Sequence, residues 1–195
     1  MLLTSLCVLG SCKSITSDVK SGWDIHNGII RLSLLKAPMQ TDMWADYGQR
    51  KFTVRVLINE PLYKTIESSN ELNNPVPYIK YNQPKTKINI SNSLPMTSEF
   101  ISTSDPYIIV ETLKIAENGK GFIARVYEAG GGWRKGKLEF LLLDSRKWKV
   151  SAVTLLEKTI NEKQNKKLKK LDSVNLKVEL QLQAFEIITI LFEKI

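Results

Sequence analysis

The sequence predicts an all-β fold: an antiparallel β-sandwich of about nine strands with one short helix. Three observations carry this. First, two stretches alternate with period two. Phe122, Ala124 and Val126 oppose Ile123, Arg125 and Tyr127, and Val174, Leu176, Val178, Leu180 and Leu182 oppose Asn175, Lys177, Glu179 and Gln181. Such alternation belongs to strands with one face toward a core. Second, turn residues separate short apolar runs at fairly even spacing, as a sandwich requires. Third, only Glu60–Asn73 shows a helical pattern.

Length sets the scale. A chain of 195 residues, 43% apolar, can bury a core of useful size as one domain or two small ones. Residues 1–20 are read either as an N-terminal strand or as a non-native start. Residues 21–195 are read as one β-sandwich domain. Leu2–Cys12 is apolar, but no basic residue precedes it, so it lacks the first region of a signal peptide.

Asn27-Gly28 is a turn signal. Ile29–Leu35 follows as a strand with Ile30, Leu32 and Leu34 on one face, stopped by Pro38. Met39–Lys51 is a polar loop holding Asp42, Asp46, Gly48 and Arg50. Phe52–Ile58 alternates, with Phe52, Val54, Val56 and Ile58 expected inward and Thr53, Arg55 and Leu57 outward. In Glu60–Asn73, Leu62, Ile66 and Leu72 recur among polar residues, and Pro61 suits a first helical turn. Val76–Ser104 reads as a long loop with one or two edge strands; its sequon Asn89-Ile90-Ser91 matters only in a secreted chain.

Tyr107–Ile115 and Phe122–Glu128 form a hairpin around Glu117–Gly121, where Asn118-Gly119 supplies positive φ. The second strand ends in a flexible run, Gly130-Gly131-Gly132. Another strand follows it rather than a helix, which excludes a phosphate loop. Lys137–Leu143 and Trp148–Leu156 are strands joined by a turn at Asp144-Ser145-Arg146. Glu157–Asp172 is a basic loop, Val174–Leu182 a strand, Gln183-Ala184 a turn, and Phe185–Phe192 the returning strand.

Composition narrows the function classes. A net charge of +8 suits anionic partners. However, Lys158, Lys163, Lys166, Lys167, Lys169 and Lys170 fall in one loop with no aromatic among them, so the stacking half of a nucleic-acid signature is missing. No nucleic-acid partner is expected. No apolar run reaches the length of a transmembrane helix, and no membrane partner is expected. With His26 the only histidine, and Cys7 and Cys12 the only cysteines, the rest of the chain cannot assemble a zinc site of His and Cys ligands. Two neighbouring cysteines make no disulfide framework. A reducing compartment follows, the cytoplasm first, with the vacuole or lysosome as alternatives.

The hairpin carries a resemblance. Ile109-Val110-Glu111-Thr112-Leu113-Lys114, Ala116-Glu117-Asn118-Gly119 and Ala124-Arg125-Val126-Tyr127-Glu128-Ala129 resemble the C-terminal β-domain of the α-mannosidases of glycoside hydrolase family 38, in its cytosolic and vacuolar branch. Six weaker likenesses follow in family order, among them Ile29–Pro38, similar to a family strand closed by a turn like Lys36-Ala37-Pro38. Cys12-Lys13 and Ser21-Gly22-Trp23-Asp24 resemble the halves of a Cys-Lys-Tyr-Gly-Tyr-Asp-like motif split by an insertion. Asp42, Ala45, Asp46, Gly48 and Phe52 match a loop pattern in which Arg50 replaces the usual histidine. Leu72-Asn73-Asn74-Pro75, Thr154-Leu155-Leu156-Glu157 and Phe185-Glu186-Ile187-Ile188-Thr189 complete the series.

The resemblance implies the C-terminal portion of a retaining, metal-dependent α-mannosidase acting in mannose and oligosaccharide catabolism. Its nucleophilic Asp and its zinc, or similar divalent metal, belong to an N-terminal (β/α) barrel that no segment here resembles. No catalytic residue and no metal ligand is therefore expected in this chain, and no activity from it alone. The implied partners are an α-mannosyl oligosaccharide and a catalytic barrel, if that is encoded separately. The implied cleft rim is Trp23, Asp24, Asp46, Arg50 and Arg125. Each has a structural reading beside it: a core tryptophan, loop-capping carboxylates for Asp42 and Asp46, a salt-bridged arginine. Glycoside hydrolysis needs two carboxyl groups flanking the bond, and the spacing of Asp42 and Asp46 does not fix their geometry. The alternative function is a free-standing carbohydrate-binding or interaction module.

Overall fold

The computed structural model describes residues 4–8, 11–18, 22–36, 40, 42–76, 99–160, 167–171 and 173–195. The expected sequon and most of the expected loop before residue 99 lie outside them. The chain forms two compact units, 1–83 and 84–195. Among the described residues all strand pairing is antiparallel.

The first unit holds β1 (Thr4–Val8), β2 (Ser11–Ser17), β3 (Trp23–His26), β4 (Ile29–Leu32), β5 (Val54–Ile58) and α1 (Leu62–Asn73). β3 and β4 pair through Asn27-Gly28. Both turn residues have positive φ, 49° and 75°, which is the type I′ geometry that asparagine and glycine favour. β1, β2 and β5 form a three-stranded sheet. Pro61 caps α1 in an extended conformation rather than sitting in its first turn, because a proline N-cap leaves no N–H to satisfy.

The sheet's orientation reverses the expectation for β5. Arg55 donates to Ser68 O and Oγ of α1, at 3.1 and 2.7 Å, and reaches Glu71 at 3.3 Å. The helix therefore covers the Arg55 and Leu57 face. Val54, Val56 and Ile58 are 47%, 56% and 61% exposed. What is buried in this unit is mainly small and polar: Ser14, Thr16 and Ser17 on β2, and Thr65, Ser68 and Ser69 beside Ile66 on α1.

The second unit is the sandwich. Its strands are β6 (Ile101–Thr103), β7 (Ile108–Ile115), β8 (Gly121–Glu128), β9 (Arg134–Asp144), β10 (Trp148–Val153), β11 (Leu168–Lys170), β12 (Asn175–Leu182) and β13 (Ile187–Lys194). One sheet runs β10-β13-β8-β7 and the other β11-β12-β9-β6. The described residues thus hold thirteen strands where about nine were expected; β11 arises inside the expected basic loop by pairing with β12.

The alternation read from the sequence decides the core. Ala124 and Val126 of β8 and Ile188, Ile190 and Phe192 of β13 meet Leu138 and Phe140 of β9 and Leu176, Val178, Leu180 and Leu182 of β12. Each fully buried apolar side chain of this size contributes roughly 1.5–3 kcal/mol. Phe122 stacks on Phe192 with centroids 4.6 Å apart, and Phe140 meets Phe192 edge-on at 4.9 Å. Gly121 is required there: a Cβ on it would stand 1.9 Å from the Phe192 carbonyl oxygen. A bulge at Glu111 shifts β7, so that Val110 faces Val126 but Thr112 faces Arg125.

Candidate functional site

The rim residues suggested by the sequence fall into two groups. Trp23 and Asp24 lie on β3, with Trp23 opposite Leu32 and Asp24 opposite Arg31. Trp23 is half-buried, and its Nε1 is shielded with no partner among the described residues. Asp24 accepts from Arg31 Nη1 at 2.7 Å, both side chains exposed. Asp46 and Arg50 share the loop before β5. Asp46 accepts from the backbone N–H of Lys36 at 3.1 Å, tying that loop to the chain beyond β4. Arg50 donates to the Ala45 carbonyl at 2.7 Å, and Asp42 accepts from Trp44 N at 2.9 Å. These are loop-closing bonds, the kind short polar side chains make in turns.

Arg125 stands in the second unit, on the face of β8 turned away from the main core. Thr112 and Thr189 flank it in register. Its neighbour along that face, Ile123, is buried with Ala116 and Val153. The turn Thr154–Glu157 closes by a bond from Glu157 N to Thr154 O at 2.9 Å. Glu157 adopts φ +60° and accepts from Lys114 Nζ and from Glu117 N, both at 2.7 Å. The Lys114 bond first, and the Glu117 N–H next, hold the Glu157 carboxyl below the usual range; the Arg125 charge contributes less. Arg125 is half-buried, and its Nε is shielded without a partner among the described residues. No salt bridge to it forms there, contrary to the structural reading of the sequence.

The most heavily hydrogen-bonded carboxylate among the described residues is that of Glu128, outside the expected rim. Glu128 is 1% exposed. Its carboxylate accepts from Gly130 N at 2.7 Å, Gly131 N at 2.8 Å, Arg134 Nε at 2.8 Å and Phe185 N at 3.0 Å. Burial alone would raise its pKa. The hydrogen bonds from Phe185, Arg134, Gly130 and Gly131 outweigh burial and bring it down to about 2. Arg134 also bonds Asp105 at 3.2 Å and lies over the Tyr107 ring at 4.2 Å. Two of the three glycines expected to be a flexible hairpin end, Gly130 and Gly131, are instead tethered, their N–H groups wrapping an internal carboxylate. A signal did exist in the sequence. Glu128 continues the inward phase of Phe122, Ala124 and Val126, and an acid in that phase must be paired.

Phe185 is the other position that sequence reasoning missed. It was expected to open the last strand, which begins instead at Ile187. Phe185 sits at φ +59° and is 70% exposed. That conformation costs a bulky residue on the order of 1–3 kcal/mol.

Among the described residues, no group of three or more His, Cys, Asp or Glu side chains could hold a metal ion. The zinc implied by the resemblance finds no ligand set there. Also among them, no helix is long and apolar enough to cross a membrane.

Comparison with known proteins places the sandwich. Residues 107–190 match the model of the glycosyl hydrolases family 38 C-terminal β-sandwich domain. The chain is 34% identical over 122 residues to alpha-mannosidase G of Dictyostelium discoideum, covering 61% of this chain and 11% of that protein. It is 30% identical over 125 residues to alpha-mannosidase 2C1 of Homo sapiens, covering 60% and 11%. The chain thus spans 11% of the length of these curated relatives. Residues 107–190, from Tyr107 ahead of β7 into β13, are thus similar to the C-terminal β-sandwich domain of the family 38 glycosyl hydrolases.

Proposed function

We propose that this chain serves as the C-terminal accessory portion of a cytoplasmic α-mannosidase in mannose and oligosaccharide catabolism. The catalytic barrel of that enzyme would bring the nucleophile and the metal site. The observation that carries this reading is the family 38 sandwich at residues 107–190, joined to the likeness to two proteins named as alpha-mannosidases. Arg125 is the residue of the second unit that we assign to the cleft rim, because it is only half-buried and stands on the face of β8 turned away from the main core. Trp23, Asp24, Asp46 and Arg50 are assigned the same role in the first unit, with Asp24 and Arg50 exposed enough to meet a ligand.

The test is hydrolysis of a chromogenic α-mannoside with zinc or cobalt added, by the chain alone and with a family 38 barrel. The expected result is no turnover alone and turnover with both. Turnover by the chain alone overturns the accessory role. No gain over the barrel alone moves the reading to a free-standing carbohydrate-binding module.

A further inference from the structure

We propose that the end of the sandwich organised by Glu128 is a glycan-binding platform, with Phe185 and Trp133 as stacking residues and Arg134 as the group that meets hydroxyls. The inference rests on the reading above and assigns it a second contact with sugar, apart from the Arg125 face. The topology brings the parts together. β8 ends at Glu128 and β9 begins at Arg134; β12 ends at Leu182 and β13 begins at Ile187. Leu182 pairs with Arg134 and Ile187 with Tyr127. The connections 129–133 and 183–186 therefore leave the two sheets at the same end.

Both connections present an aromatic ring to solvent. Trp133 is 65% exposed and Phe185 is 70% exposed. Phe185 is held there by construction. Its N–H is bound by Glu128, and its ring lies against Gly131, where a Cβ would stand 2.8 Å from Phe185 Cζ. Gly131 is itself at φ +76° and donates to the same carboxylate. Glu186 closes the Phe185 turn by accepting from Gln183 N at 2.8 Å and pairing with Lys167. A buried carboxylate, a glycine and an ion pair thus fix an exposed phenylalanine in a backbone conformation it disfavours. Conformations of this kind persist where the surroundings impose them, and they cluster at ligand-binding positions.

The polar surroundings select the ligand class. The Arg134 side chain is 27% exposed and that of Asp105 is 21% exposed. Arg134 donates Nε to Glu128 and Nη1 to Asp105, and its guanidinium lies over the Tyr107 ring at 4.2 Å. Two carboxylates already balance its charge, and the Gly130 and Gly131 N–H groups are taken by Glu128, so an anion finds little to bind. A neutral pyranose fits better. Its C–H face packs on an aromatic ring, and its hydroxyls can accept from Arg134 and donate to Asp105.

The experiment is a titration of the 195-residue chain with α-linked mannotriose, read by tryptophan fluorescence and calorimetry. Saturable binding is expected. Phe185→Gly and Trp133→Ala should each weaken it by at least about tenfold, with the thermal transition retained. Phe185→Gly in particular should not lower that transition, because glycine accepts the positive φ. Three results would overturn the platform: no saturable binding by the unaltered chain up to about 10 mM sugar, binding unchanged in both variants, or a concentration-dependent dimer that Phe185→Gly abolishes. Failure here with barrel-dependent turnover intact removes the platform alone. Binding that persists when the barrel gives no turnover removes the accessory role alone.

Discussion

At Glu128, desolvation and hydrogen bonding pull in opposite directions, and the hydrogen bonds win. Its carboxyl falls from 4.5 to about 2, which at roughly 1.4 kcal/mol per unit is on the order of 3 kcal/mol favouring the folded state. The folded pKa lies below the unfolded one. This stabilisation is therefore present above about pH 4.5 and is lost as pH falls toward 2. Glu128→Gln should cost about 2–4 kcal/mol at pH 7 and flatten the loss of stability across that acid window. Urea denaturation at several pH values checks both. Arg125 is the opposite case, with a shielded Nε that nothing described here satisfies. Arg125→Met should leave stability unchanged or raise it by up to about 1 kcal/mol, while lowering turnover of the barrel-reconstituted enzyme if the residue serves the cleft. A drop in melting temperature with turnover unaltered would make it structural.

Two strands with the same sequence pattern behave differently as elements. β12 alternates and buries Leu176, Val178, Leu180 and Leu182 completely. β5 alternates as well and leaves Val54, Val56 and Ile58 open. Leu180→Ala should therefore cost about 2–5 kcal/mol in chemical denaturation, whereas Val56→Thr should change stability by less than about 0.5 kcal/mol. Alternation tells which residues share a face; it does not tell which face a neighbouring element covers. In β5 that choice was made by Arg55 bonding α1, a contact between side chain and helix backbone that no periodicity encodes. The same limit explains the other differences. The sandwich core and the outward phase of Arg125 were legible because they follow from period two. β11 was hidden because Lys169 and Lys170 read as loop, and it exists only by pairing with β12. The glycine run read as flexible because the acid that ties it lies two residues upstream, in a strand. Among the rim residues, Asp42 and Asp46 do what short acids in turns do, and their hydrogen bonds to Trp44 and Lys36 could have been anticipated in kind though not in partner.

The two units differ in how much of their stability is their own. The second holds a continuous apolar core contributed by both sheets. In the first, Ile66 is the only buried apolar side chain among the residues whose burial is described, and the Thr16 and Thr65 hydroxyls are buried without a partner among the described residues. An unsatisfied buried hydroxyl costs about 1–3 kcal/mol, so the polar helix–sheet contact adds little. Local opening energies follow the density of buried apolar contact. Amide hydrogen exchange should therefore be slowest in β8, β12 and β13, at protection close to that of global unfolding, and markedly faster in β2, β5 and α1. Exchange followed by peptide mass spectrometry separates these segments directly. Adding a family 38 barrel then asks what the first unit is for. If its open β5 face is covered in the assembled enzyme, β5 and β2 should gain protection while β12 stays unchanged. Equal protection of both units in the isolated chain would instead mean that the small polar contacts of α1 suffice, and that the exposed Val54, Val56 and Ile58 face needs no cover.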